Sequence, residues 1–204
     1  MTVGSIARES LAEKSAPFGR VVLKQTHLVF FSSVLLWLLA CSKPEEPERV
    51  TLTDFALEDV NPRSATYGEL IGPSYYEGKV SAYYFGDAGG EICQRRFGVL
   101  NDLYNQLIAE GVYDVKIMGV NGIEYAAHDK SKMISGRVLP WTQDTEAEDA
   151  WKEWNVTIRG FFILDASGQF LDKLNLTLFD PDPSYGGGVN YQILKSMLMD
   201  ARGP

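Results

Sequence analysis

The chain has 204 residues, 45% of them hydrophobic, and 19 Lys+Arg against 27 Asp+Glu give a formal net charge of -8. That length suits one compact domain with an appendage, and the composition excludes collagen, low-complexity polymers and bulk-charged disordered chains. The two cysteines, Cys41 and Cys93, are too few for a disulfide-stapled mini-protein, and an acidic chain argues against nucleic acid as a partner because phosphates repel it.

The first element is apolar. Leu28 to Leu39 (LVFFSSVLLWLL) is a twelve-residue run, short for a membrane span of about 20. Arg20 and Lys24 precede it, and Ala40 then Cys41 follow it. A basic n-region, a short apolar core and a small residue before the cut describe a secretory signal. Leu38-Leu39-Ala40-Cys41 resembles the lipobox of bacterial lipoproteins. That resemblance implies a signal peptide over 1–40, acylation of Cys41, and a lipid anchor that holds the protein at the bacterial cell envelope, facing the periplasm. Ser42 is similar to the outer-membrane-sorted lipoproteins, which avoid Asp at that place. The other reading of the run is a short membrane anchor that happens to end in Cys. Residues 41–49 are charged and Pro-rich and read as a solvated tether. An acidic domain gains nothing from anionic lipid, so the acyl chains would make the membrane contact.

Residues 50–202 alternate strands and helices. Thr51 to Leu57 alternates apolar and polar, which predicts a half-buried strand. Lys79 to Phe85, rich in β-branched and aromatic residues, predicts a buried strand. A Gly-rich break over 86–90 leads to a helix from about Cys93 to Glu110, with Phe97, Leu100, Leu103, Tyr104, Leu107 and Ile108 on one face and Gly111 as its stop. Asp114 to Val120 is the next strand. Residues 121–145 read as irregular, and Glu146 to Trp154 as a short helix with acidic residues in its first turn. Gly160–Asp165 and Gln169–Leu174 around Ala166-Ser167-Gly168 predict a β-hairpin. Tyr191 to Ala201 predicts a closing helix with Ile193, Leu194, Met197 and Leu198 inward. Strand–helix–strand units followed by a hairpin imply an α/β fold, a mixed sheet with helices on its faces.

This order, with several motifs, resembles the thioredoxin-like superfamily of redoxin type over about 50–202. Lys79–Phe85 stands where that family has the strand leading into its active site. Cys93 stands at the second cysteine of Cys-x-x-Cys. Val156–Asp165 followed by Gly168 is similar to the family's strand ending in Asp-x-x-Gly. Val120-Asn121, Leu139-Pro140 and Trp151 are similar to the N-terminal domain of selenoprotein P and its bacterial relatives. The resemblance implies a three-layer fold with a central mixed sheet and helices on both faces. Two residues depart from the pattern. Gly90 occupies the place of the first, nucleophilic cysteine, so the active-site loop reads Gly90-Glu91-Ile92-Cys93. Arg159 occupies the place of the cis-proline.

At a helix N-terminus, with Arg95 and Arg96 close in sequence and Glu91 opposing, Cys93 is expected to favour its thiolate. A single thiol can form a mixed disulfide with a protein thiol or be oxidised; the bland reading is a small residue filling the first turn. The run from Arg159 to Asp165 resembles the strand carrying the catalytic arginine of peroxiredoxins, which makes Arg159 the second candidate catalytic residue. Gly90 and Gly86 replace the Thr and Pro of that family's motif, which weakens a peroxidase reading. The competing reading of Arg159 is a surface strand arginine paired with Asp165 or Glu153. His128 lacks the partner histidines or cysteines of a metal site, the 180–188 loop lacks calcium-binding spacing, and the glycines of 86–90 lack the Lys-Ser/Thr of a phosphate loop. No metal or cofactor is expected. Two functional classes stay open: a monothiol oxidoreductase lacking the first cysteine, and a non-enzymatic binding module on the same fold.

Overall fold

The structure, a computed structural model, describes residues 50–203. The expected signal peptide over 1–40, Cys41 and the expected tether up to residue 49 lie outside them. Along the chain come β1 (Leu57–Glu58), β2 (Leu70–Ile71), β3 (Val80–Gly86), α1 (Glu91–Ala109), β4 (Val115–Asn121), α2 (Ser131–Ile134), β5 (Trp141–Gln143), α3 (Ala150–Glu153), β6 (Gly160–Leu164), β7 (Phe170–Asn175) and α4 (Val189–Asp200). No helix among the described residues is long and apolar enough to cross a membrane.

Five strands form one sheet in the order β5-β4-β3-β6-β7. β3 is central, parallel to β4 and antiparallel to β6, so the sheet is mixed. Every residue of β3 is buried, which is why its sequence shows no alternation of apolar and charged residues. The strand's period of two divides its side chains between two cores. Val80, Ala82 and Tyr84 join Phe97, Leu100 and Leu103 of α1 and Leu194 and Leu198 of α4 on one face. Tyr83 and Phe85 join Phe55, Leu57, Ile71, Trp154 and Phe162 on the other. Each fully buried side chain of this size contributes roughly 1.5–3 kcal/mol, so both faces anchor β3 in the middle of the fold.

Four expectations change. The strand over 51–57 reduces to a bridge from Thr51 to Gln169 and the two-residue pairing of β1 with β2. Phe55, Leu57 and Asp59 do alternate inward, but the Asp54 carboxylate accepts from the Ser74 backbone N–H and hydroxyl and holds a loop there. The irregular stretch contains α2 and β5. β5 is three residues long, too short for periodicity to reveal, and it is held by Trp141 in the core. The helix over 146–154 shrinks to α3, because the Asp144 carboxylate gathers the N–H groups of Thr145, Ala150 and Trp151 into a turn, and Asp149 takes a left-handed φ of 43°. In α4, Tyr191 is inward and Ile193 is exposed.

Candidate active site

The site forms where β3 hands over to α1. The connecting turn, Asp87 to Gly90, is fastened from three directions. Asn121, fully buried at the end of β4, accepts from the Ala88 N–H at 2.8 Å and donates to the Tyr125 carbonyl and to Gln143 Oε1. Gln94 Nε2 donates to the Ala88 carbonyl at 2.8 Å. Asp87 Oδ1 accepts from the Gly89 N–H at 2.7 Å. Gly90 is then the extended residue before α1, with φ -81° and ψ 118°, and no side chain caps the helix. The first N–H groups of α1 are therefore directed at the space over Gly90.

Cys93 lies in the first turn of α1 and is 1% exposed. Beneath it, the Tyr84 hydroxyl donates to the Cys93 carbonyl at 3.4 Å, and the Tyr84 ring stacks on Phe97. Burial, then the neighbouring sulfur, raises the Tyr84 pKa well above its ordinary value, so this phenol stays neutral. Glu91 and Ile92 are exposed on the same turn. They point outward, leaving Gly90 as the part of the loop that lies against the sulfur.

A Cβ placed on Gly90 would lie 3.4 Å from Cys93 Sγ. The two positions therefore keep the mutual approach of a dithiol loop while only one carries sulfur. The same point lies 3.4 Å from Asp87 Oδ2.

Arg159 reaches the sulfur from the turn before β6. Its Nη1 is 3.8 Å from Cys93 Sγ, and its Nε donates to Thr177 Oγ1 at 2.6 Å. Its backbone is left-handed, φ 67°, a conformation that costs a residue with a Cβ about 1–2 kcal/mol. Two backbone bonds hold it there: its N–H donates to the Phe85 carbonyl, and its carbonyl accepts from the Leu176 N–H. Both candidate catalytic residues thus meet at one point, and Arg159 lies at the site rather than along the surface of a strand. Arg96 does not join them. It donates to the Leu176 carbonyl and pairs with Asp180 at 2.6 Å, tying α1 to the loop after β7. Arg95 is exposed.

The structure adds a pair that the sequence pattern did not place here. His128 Nδ1 is 2.7 Å from Asp87 Oδ1. The two residues are 41 positions apart, and neither belongs to a spaced motif, so nothing in the linear pattern joins them. Among the described residues, no group of three or more His, Cys, Asp or Glu is arranged to hold a metal ion.

The fold has counterparts among solved structures. The thioredoxin domain of a thiol-disulfide oxidoreductase from Bacteroides vulgatus superposes with a TM-score of 0.51, at 17% identity, covering 72% of this chain and 95% of that one. The fold is thioredoxin-like. BsSco, a Sco-family cytochrome c oxidase assembly protein with a disulfide switch, superposes at 0.52, with 17% identity over 76% of this chain and 95% of its own. Copper-bound yeast Sco1 does so at 0.52, with 21% identity over 72% and 92%. No protein-family model matches the sequence, and no curated protein matches it. At these identities the likeness is one of fold.

Proposed function

We propose that the protein is a redoxin-like monothiol redox protein, tethered to the bacterial cell envelope by lipid on Cys41 and facing the periplasm, on the outer membrane. The observation that carries the redox reading is the Arg159 guanidinium 3.8 Å from Cys93 Sγ, at the first turn of a helix. A cation and the N–H groups of a helix start both stabilise negative charge that develops on a sulfur as it exchanges. With Gly90 in place of a second sulfur, Cys93 cannot close a disulfide within this loop. Its chemistry is mixed-disulfide formation: Cys93 attacks a disulfide, one sulfur stays bound to it, and the other leaves as a thiol. Gly90, partly exposed and without a side chain, is the loop residue that lies against the sulfur. The lipid reading is supported by the Leu38-Leu39-Ala40-Cys41 motif, and mass analysis of the mature N-terminus tests it.

The redox reading is tested by alkylating the folded protein at neutral pH and mapping the label. The expected result is fast modification of Cys93, slowed when Arg159 is replaced. One observation favours a second reading, the fold as a non-enzymatic binding scaffold: Cys93 is 1% exposed and sits inside the core cluster. A Cys93 that reacts only after unfolding decides for the scaffold.

A further inference from the structure

The turn before α1 carries more than Cys93. One point, the place of a Cβ on Gly90, is 3.4 Å from Cys93 Sγ and 3.4 Å from Asp87 Oδ2. The carboxylate and the sulfur are therefore no farther apart than twice that distance, and residue 90 places no side chain between them. A sulfur bonding to Cys93 from the Gly90 side would lie between the two. The carboxylate is not mobile: Oδ1 is held by the Gly89 N–H at 2.7 Å and by His128 Nδ1 at 2.7 Å. The Asp87 side chain is 17% exposed and that of His128 47%, so the imidazole connects a nearly buried carboxylate to solvent. His128 is itself seated, with its ring 5.7 Å from that of Tyr125 and its Nδ1 3.0 Å from the place of a Cβ on Gly89. A larger residue at 89 would displace it.

We propose that Asp87 and His128 are the acid–base pair of the Cys93 site, carrying the thiol proton to the departing sulfur of an aliphatic disulfide substrate. This rests on the monothiol reading above. Asp87 is the group that touches the reacting sulfurs; His128 is a positioning residue that orients the carboxylate and shares its proton. The step balances. Cys93 gives its proton to the pair and attacks one sulfur of R–S–S–R′. The Sγ–S bond forms as the S–S bond breaks, the R′ sulfur takes the electron pair, and the pair returns the proton to it. Cys93 is oxidised to the mixed disulfide and R′ is reduced to the thiol. The charged and titratable groups beside His128 are Asp87, its hydrogen-bond partner, and Tyr125, whose ring it meets, with Glu124, Asp129 and Lys130 along its own loop. The Tyr125 pKa is pushed up to about 12, chiefly by its hydrogen bond to Glu124, with Asp87 and Cys93 adding to the effect. Tyr125 is thus a neutral neighbour rather than a competing base.

The experiment compares two uncharged probes in single-turnover reactions with Cys93. The leaving thiol of 2-hydroxyethyl disulfide is strongly basic and needs a proton; that of 4,4′-dithiodipyridine leaves without one. A positioned acid is worth about 10²–10⁴-fold. In D87N and in H128Q, the ratio of the aliphatic to the pyridyl rate is expected to fall about a hundredfold. Equal slowing with both probes, or no slowing, overturns the assignment while leaving the thiol reading intact. A Cys93 inert to both probes in the unsubstituted protein overturns the thiol reading and the pair with it. H128Q alters a half-exposed side chain, so it supplies the result if D87N fails to fold.

Discussion

The substitution G90C puts back the sulfur that the loop lacks. At Gly90 the backbone has φ -81° and ψ 118°, which any L-residue adopts. The new Cβ would touch the Asp87 carbonyl, Asp87 Oδ2 and Cys93 Sγ, each at 3.4 Å, so it fits without a clash. A disulfide wants Cβ atoms about 3.8 Å apart and S–S near 2.05 Å. A first Cβ already 3.4 Å from the partner sulfur reaches that geometry with rotation of the side chains and little movement of the backbone. Closing a loop of four residues removes about 2 kcal/mol of unfolded-chain entropy. For a domain of this size that raises the melting temperature of the oxidised form over the reduced by about 4–8 °C. The assay is mild oxidation of G90C, thiol quantification, and peptide mapping for an intramolecular cross-link between position 90 and Cys93, with melting curves with and without reductant. Position 90 and Cys93 both remaining free, or linking only between molecules, would refute the claim that Gly90 stands at a dithiol position.

Four further outcomes follow from the same geometry. Arg159→Gly removes the left-handed penalty of about 1–2 kcal/mol and gives back about 0.5–1 kcal/mol of glycine freedom, so the melting temperature should shift little while alkylation of Cys93 slows; a large loss of stability would mean the guanidinium is mainly a structural tie. Gly119→Ala places a Cβ 2.1 Å from the Trp141 ring and 2.9 Å from Phe97, an overpacking expected to cost at least about 3 kcal/mol in denaturant unfolding. Asp180→Ala strands the Arg96 guanidinium, whose side chain is 8% exposed; because Asp180 is itself partly exposed, the expected loss is about 2–3 kcal/mol, below that of a fully buried pair, with an unchanged denaturant slope. Hydrogen bonds from Arg202 hold the Asp114 carboxyl below its ordinary value. Its contribution is therefore complete above the unfolded aspartate value of about 3.9 and is lost as pH falls through the lower folded value. The melting difference between wild type and Arg202→Met should shrink over that acid range, and a difference independent of pH would sink the assignment.

Much of this molecule was legible as sequence. β3 could be read because burial on both faces leaves a run free of charged residues and rich in aromatics, and α1 because Phe97, Leu100, Leu103 and Leu107 repeat at the helical period against one face. Gly90 before Cys93 was visible as a departure from a two-cysteine spacing, since that spacing lies within a single turn of helix. Patterns carried by a few consecutive residues depend on local backbone geometry, and a linear reading captures them. Tertiary structure alone decided the rest. β5 is too short to show a period, and α3 was cut back by the side chain of Asp144. Arg159 meets Cys93 across 66 positions because an antiparallel neighbour of β3 begins where that turn ends. His128 meets Asp87 because β3 and β4 run parallel, which places the loops after both strands at the same edge of the sheet. Sequence by itself determined the fold class and the single thiol of the described domain. The groups around that thiol come from separate strand ends, and only the order and direction of the strands brings them to one point.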